Sequence, residues 1–170
     1  EFREQARGGV GSKGANTRDK DFTEYIYPAT MHQTMLFFTK KGRCYWLKCY
    51  EIPEGDKTSK GRAIQNLLNI DADDSVNAFL RVKGLNDVDF IKSHYIVFAT
   101  KNGTVKKTSL EAYSRPRTNG VNAITIAEGD EVVDVRLTNG KNLLIMANRN
   151  GRAVYFDENT VRTMGRTATG

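Results

Sequence analysis

The sequence predicts an all-β protein, a propeller-like array of four-stranded blades with almost no helix, and two observations carry that prediction. Three times along the 170 residues an apolar run enters a glycine turn and returns at once. Between these hairpins a second stretch recurs at a constant offset of 56 positions. Repeats of about 50 to 60 residues, each with about four strand-like segments, are near the size of propeller blades, so about three blades fit the chain. A single sandwich of two sheets would not require an internal offset.

The elements follow in order. Residues 1–21 crowd Gly8, Gly9, Gly11 and Gly14 among Arg7, Lys13, Arg18 and Lys20 and offer no core face, so they read as loop. Residues 22–27 alternate with period two and stop at Pro28, which predicts a strand. The first hairpin runs Leu36-Phe37-Phe38-Thr39, turns at Lys40-Lys41-Gly42 and returns as Arg43-Cys44-Tyr45-Trp46-Leu47. The second runs over 96–100, turns at Lys101-Asn102-Gly103 and returns over 104–107; the third runs over 144–147, turns at Asn148-Arg149-Asn150-Gly151 and returns over 152–156. Asn-Gly between β-forming runs is a strong hairpin signal, because the tight turn needs a positive φ that glycine adopts without strain.

The recurring stretch between hairpins joins residues 66–70, an acidic turn at Asp71, Asp73 and Asp74, and a strand over 76–82. It overlays residues 122–126, a turn at Glu128, Asp130 and Glu131, and a strand over 132–137, with Ile124-Thr125-Ile126 read as strand. After it the two copies differ: residues 83–92 read as a long loop, and Asn139-Gly140 as a tight turn. Insertion in loops with strands held in register is what an array of supersecondary units predicts.

The formal net charge of +6 and a pI near 9.3 favour a polyanionic partner. Catalysis has little to work with. His32 and His94 lack a neighbouring nucleophile motif, the acidic turns lack the ligand spacing of a calcium loop, and Cys44 and Cys49 have no matching histidines for zinc. Gly8-Gly9-Val10-Gly11 follows no strand and precedes no Gly-Lys-Ser, which argues against a nucleotide site. No apolar run approaches the roughly 20 residues that span a bilayer, so no membrane partner is expected and a cytoplasmic location is.

The hairpin turns and the segments after them carry the cations Lys40, Lys41, Arg43, Lys101, Lys106, Lys107, Arg115, Arg117, Arg149 and Arg152, whereas the other turns carry the acids. If equivalent turns share one edge, the cations form a curved basic rim able to bind a phosphate backbone without reading sequence. Single-strand binding would want exposed aromatics among the cations. Tyr45, Trp46, Tyr155 and Phe156 lie on return strands, where alternation buries about half, so duplex is the expected ligand.

Gln5-Ala6-Arg7-Gly8-Gly9-Val10-Gly11 resembles the box motif, usually Gln-Arg-Arg-Gly-Gly-Lys-Gly, that opens the C-terminal domain of the DNA gyrase A family. Residues 17–22, 36–39 with Gly42-Arg43, 50–53 and 164–168 resemble that domain in the same order, so the resemblance covers the whole chain. It implies a β-pinwheel, a ring of four-stranded blades around whose basic outer rim duplex DNA bends. The wrap feeds a second DNA segment to strand passage and gives ATP-dependent negative supercoiling. The chain would be a partial pinwheel over 1–170, roughly the first half of a ring, with a box-bearing loop over 1–21 and blades over 22–170. Its partners would be duplex DNA, the remainder of the gyrase A subunit and, in the holoenzyme, the gyrase B subunit in the nucleoid. It would hold no catalytic residue, cofactor or metal, since ATP and magnesium are used elsewhere in that assembly.

Carried over by motif, the box contacts would be Gln5, Arg7, Gly8, Gly9, Gly11 and Lys13, and the rim would add Arg18 to the cations above. Ala6 and Val10 replace two cations of the usual box and leave Arg7 as the one charge inside it, which should weaken wrapping. The alternatives are the related domain of the topoisomerase IV A subunit, which lacks a proper box, and a propeller-like module that meets an acidic protein.

Overall fold

A computed structural model describes residues 28–55 and 64–170, so the strand predicted over 22–27 and the loop over 1–21 lie outside the described residues. The three hairpins form where the glycine turns place them. Strands β1 (Thr34–Thr39) and β2 (Arg43–Lys48) make the first. Strand β3 (Val76–Val82) and a short helix α1 (Val88–Ser93) then lead to the second, β4 (Tyr95–Thr100) and β5 (Val105–Ser109). After β6 (Val121–Asn122) and β7 (Val132–Thr138), β8 (Leu143–Ala147) and β9 (Ala153–Asp157) make the third.

The hairpins are built alike to the hydrogen bond. Each turn closes with a glycine N–H donated three residues back: Gly42 to Thr39 O at 3.0 Å, Gly103 to Thr100 O at 3.0 Å and Gly151 to Asn148 O at 3.2 Å. Each mouth is tied by one more bond, from Cys49 N to Gln33 O at 2.9 Å, Leu110 N to His94 O at 3.0 Å and Glu158 N to Asn142 O at 3.0 Å. Strand β3 lies antiparallel on β1, and β7 on β4, with the register slipping at Phe38/Thr39 in one sheet and Ala99/Thr100 in the other. These are equivalent places in the repeat. The sheets run β3-β1-β2-β6, β5-β4-β7 and β8-β9, and the first draws its fourth strand from the following repeat.

The blades stack face to back. In the first sheet Met35, Phe37, Tyr45 and Leu47 point to one side and pack with Leu68, while Leu36, Phe38 and Cys44 point to the other. That second face meets Ile96 and Phe98 of the next sheet, which are the repeat equivalents of Met35 and Phe37. Phe38 stands edge-on to Phe98 with ring centroids 5.3 Å apart, and edge-on to Tyr113 at 6.2 Å. Such a contact contributes about 0.5–1.5 kcal/mol beyond the area it buries. In the third hairpin the exposed Leu143 and Ile145 alternate with half-buried Leu144 and Met146, as the same stacking requires.

Two elements depart from the sequence reading. The segment read as a loop over 83–92 contains α1, which the Asp87 side chain caps by accepting from Asp89 N and Phe90 N. Residues 124–126 are not a strand; only Val121–Asn122 pairs, with β2. Beyond it the backbone turns under the first hairpin, where Ala123 N and Ile124 N both donate to Gly42 O at 2.7 and 3.2 Å. Those bonds replace a ladder.

Candidate nucleic-acid interface

The hairpin turns are brought to one margin by the strands beside them. Lys40 donates its N–H to Ser75 O at 2.9 Å and accepts at its carbonyl from Val132 N at 3.0 Å, while Lys101 N donates to Glu131 O at 2.9 Å. The dipeptide Glu131-Val132 therefore links the first turn to the second. Lys101 and Gly103 of the second turn line one open concavity of about 1040 Å³ with Asn148, Arg149 and Arg152 of the third. Along this margin Lys41, Lys101, Arg149 and Arg152 are exposed, and Lys40 is half-buried. Arg43 is half-buried as well, its Nη2 donating to Asn119 O at 2.7 Å and its guanidinium 5.9 Å from the Tyr45 ring centre. Among the described residues Lys101, Arg149 and Arg152 form no ion pair.

The expected separation of basic from acidic turns does not hold. Because β3 runs antiparallel to β1, its start pairs with the end of β1, so the acidic turn before β3 comes to rest beside the basic hairpin turn. Asp74, buried, accepts from Lys41 N at 3.2 Å, and Asp130 accepts from Asn102 N at 3.0 Å, the same contact one repeat later. Lys41 Nζ pairs with Asp73, and its hydrogen bond holds the Asp73 carboxyl below the usual carboxylate range. The margin alternates in sign: Lys101, Arg149 and Arg152 stay outside ion pairs, but the Asp130 carboxylate feels the Lys101 charge, and Glu131 and Asp134 line the same concavity.

Lys106 and Lys107 do not lie on the rim at all. Both are buried in β5, where later segments of the chain cover them. Lys106 Nζ donates to Ala123 O at 2.7 Å and to Arg166 O and sits 5.3 Å from the Phe98 ring centre. Burial, with a smaller effect of the Arg166 guanidinium, pushes its pKa down to about 8. Lys107 Nζ pairs with the buried Glu158 at 3.1 Å. Burial alone would raise the Glu158 carboxyl, but the Asn142 amide, the Lys107 ammonium and the Thr138 hydroxyl hold it below its ordinary value.

Arg115 and Arg117 are exposed on the stretch before β6, apart from the hairpin turns, in a second concavity of about 610 Å³ that also takes in Lys92 of α1 and Arg166. Sequence reasoning missed Lys92 and Arg166, whose spacing carries no signal, because they come from different repeats. The box residues Gln5, Arg7, Gly8, Gly9, Gly11 and Lys13, and Arg18, lie outside the described residues. Of the aromatics on return strands, Tyr45 is buried, Trp46 and Phe156 are half-buried and Tyr155 is 72% exposed. Among the described residues no group of histidine, cysteine and carboxylate side chains could hold a metal ion, and no helix is long and apolar enough to cross a membrane.

Fold and surface together define a class: repeated antiparallel β blades stacked face to back, with cation-bearing turns along one margin. The chain belongs to the family described as DNA gyrase C-terminal domain, beta-propeller, whose family model it matches over residues 1–29, 33–83, 94–139 and 142–170. It is 44% identical over 169 residues to the DNA gyrase A subunit of Halalkalibacterium halodurans, a match covering 99% of this chain and 20% of that protein. The chain thus spans about one fifth of the length of the curated relatives it matches. A solved structure of the C-terminal domain of DNA topoisomerase IV is similar with a TM-score of 0.69 and 34% identity, over 82% of this chain and 42% of that one. A DNA gyrase A C-terminal domain, 17% identical over 92% of this chain and 51% of its own, has a TM-score of 0.68 and shows the shared fold alone.

Proposed function

We propose that the chain is the non-catalytic duplex-binding and wrapping part of a DNA gyrase A subunit. The observation that carries this reading is the match along 99% of the chain to a DNA gyrase A subunit. The exposed cations Lys101, Arg149 and Arg152 support it, because cations free of ion pairs along one margin suit a phosphate backbone and need no base contact. In this reading residues 1–170 are part of a larger ring, with the box over 5–11 at its opening. The remainder of the gyrase A subunit, together with the gyrase B subunit, supplies strand cleavage and ATP hydrolysis in the bacterial cytoplasm, and this segment uses no cofactor of its own.

The second reading is the corresponding domain of topoisomerase IV, favoured by the 34% identity to that structure and by Ala6 and Val10 in the box. A topology assay separates the two. Nicked circular plasmid is incubated with the protein, sealed with ligase, stripped and run on a gel. A linking-number shift that grows with protein is expected for the gyrase reading, and Arg7→Ala should diminish it more than Lys83→Ala. Binding without a shift would favour the topoisomerase IV reading. Failure to bind duplex at low salt would overturn both and leave the protein-interaction module.

A further inference from the structure

The concavity that holds Arg115 and Arg117 has a composition unlike the margin. Lys92, Arg115, Arg117 and Arg166 converge on it from α1, from the stretch before β6 and from the segment after β9, with Glu111 as its one carboxylate. Among the described residues none of the four cations forms an ion pair, in contrast to Lys41 and Lys107. Like charges held together in a concave wall repel one another and raise the local potential for an anion.

Hydrogen bonds hold the backbone of one wall and one of its guanidinium groups. Trp46 Nε1 donates to Tyr113 O at 2.9 Å and Gly120 N to Arg117 O at 2.9 Å, which ties down the stretch bearing the two arginines at both ends. Arg166 is half-buried and donates Nη1 to Asn122 O at 2.6 Å, so its guanidinium is oriented without a carboxylate. A guanidinium oriented in this way suits the oxygens of a phosphate better than a mobile ammonium does.

We propose that this concavity, ringed by Lys92, Arg115, Arg117 and Arg166, is a phosphate-binding site distinct from the hairpin-turn margin, and that it takes backbone phosphates of the bound duplex. The proposal rests on the duplex-binding reading for the source of the phosphates, and on the site's own geometry for their chemistry. It adds Lys92 and Arg166 to the contacts and makes Arg117 a holding point rather than one charge in a stripe.

The test is made on the complete protein carrying these residues, with Lys92→Gln/Arg117→Gln as the variant and Lys83→Gln, an exposed cation outside the concavity, as the control. Affinity for a labelled duplex is followed from 50 to 200 mM salt, and inorganic pyrophosphate is titrated by calorimetry. Losing two phosphate contacts should flatten the salt slope by about two, so that the gap between wild type and variant is roughly tenfold wider at 50 mM than at 200 mM. Pyrophosphate should bind the wild type and the control and bind the variant weakly. A variant whose slope and pyrophosphate binding match the control overturns the proposal. If the wild type binds pyrophosphate here but no duplex, the site stands, its ligand is a free polyphosphate and the wrapping reading fails; if it binds neither, both fail.

Discussion

Lys106 carries a charge in the core with carbonyl oxygens as its acceptors, and that arrangement has a measurable consequence. Its pKa of about 8 in the folded chain lies below the value near 10.5 expected when unfolded. Between those values the unfolded chain binds more protons, so this group makes stability rise with pH. Relative to Lys106→Met, the wild type should gain on the order of 2 kcal/mol between pH 8 and pH 10 in urea melts. A difference independent of pH would place the ammonium in water. Glu158 gives a pH dependence of the same sign, but there the fold favours the charged form. Its folded value is held below the ordinary 4.5, so its contribution is whole above that value and is lost as the pH falls through the folded one. Glu158→Gln leaves Lys107 buried without a counter-charge and should cost about 3 kcal/mol at pH 7. The gap to wild type should close as acid titrates the carboxyl; a gap that persists in acid would mean packing, not charge, is lost.

At the scale of elements, the three glycine turns look interchangeable in sequence and are not. Gly42 and Gly103 both adopt φ of 90°, yet a Cβ on Gly42 would lie 2.4 Å from the Ile124 carbonyl oxygen, while one on Gly103 would meet nothing within 4 Å. Gly103→Ala should therefore cost about 1 kcal/mol from backbone strain alone, and Gly42→Ala roughly 3 kcal/mol or more. Equal shifts in the two urea midpoints would show that the crossing backbone at Ile124 yields. The hairpins were legible because period-two alternation and Asn-Gly or Lys-Gly turns are local signals. The conformation of residues 124–126 was not, since Ile-Thr-Ile alternates like a strand while Ile124 N donates to Gly42 O, about 80 positions earlier, and Thr125 N to Ala168 O, about 40 positions later.

Across the whole molecule, face-to-back stacking makes the blades unequal in stability. The face of β1 and β2 that bears Leu36 and Phe38 is sealed by the next sheet. In the third hairpin Ile145 is 73% and Tyr155 72% exposed. Amide hydrogen exchange should be slowest in β1 and β4, each flanked by strands on both sides, and fastest in β8 and β9, which pair with each other and no further strand among the described residues. Uniform protection across the three sheets would contradict that order. The same stacking decides the surface: equivalent turns reach one margin because each blade repeats the pairing of the last.

Strand order within each hairpin, the turn glycines and the repeat itself follow from local sequence, because propensity and alternation act over a few residues. Which charges remain available does not. Lys101 and Lys107 are six positions apart in one hairpin; one stays in solvent, and the other is buried against a carboxylate about 50 residues further along. Likewise Lys41 meets Asp73 because antiparallel pairing folds one turn onto another, and Lys92 and Arg166 reach Arg115 and Arg117 across three segments. Charge and spacing are written along the chain, whereas neutralisation and convergence are properties of its neighbours in space.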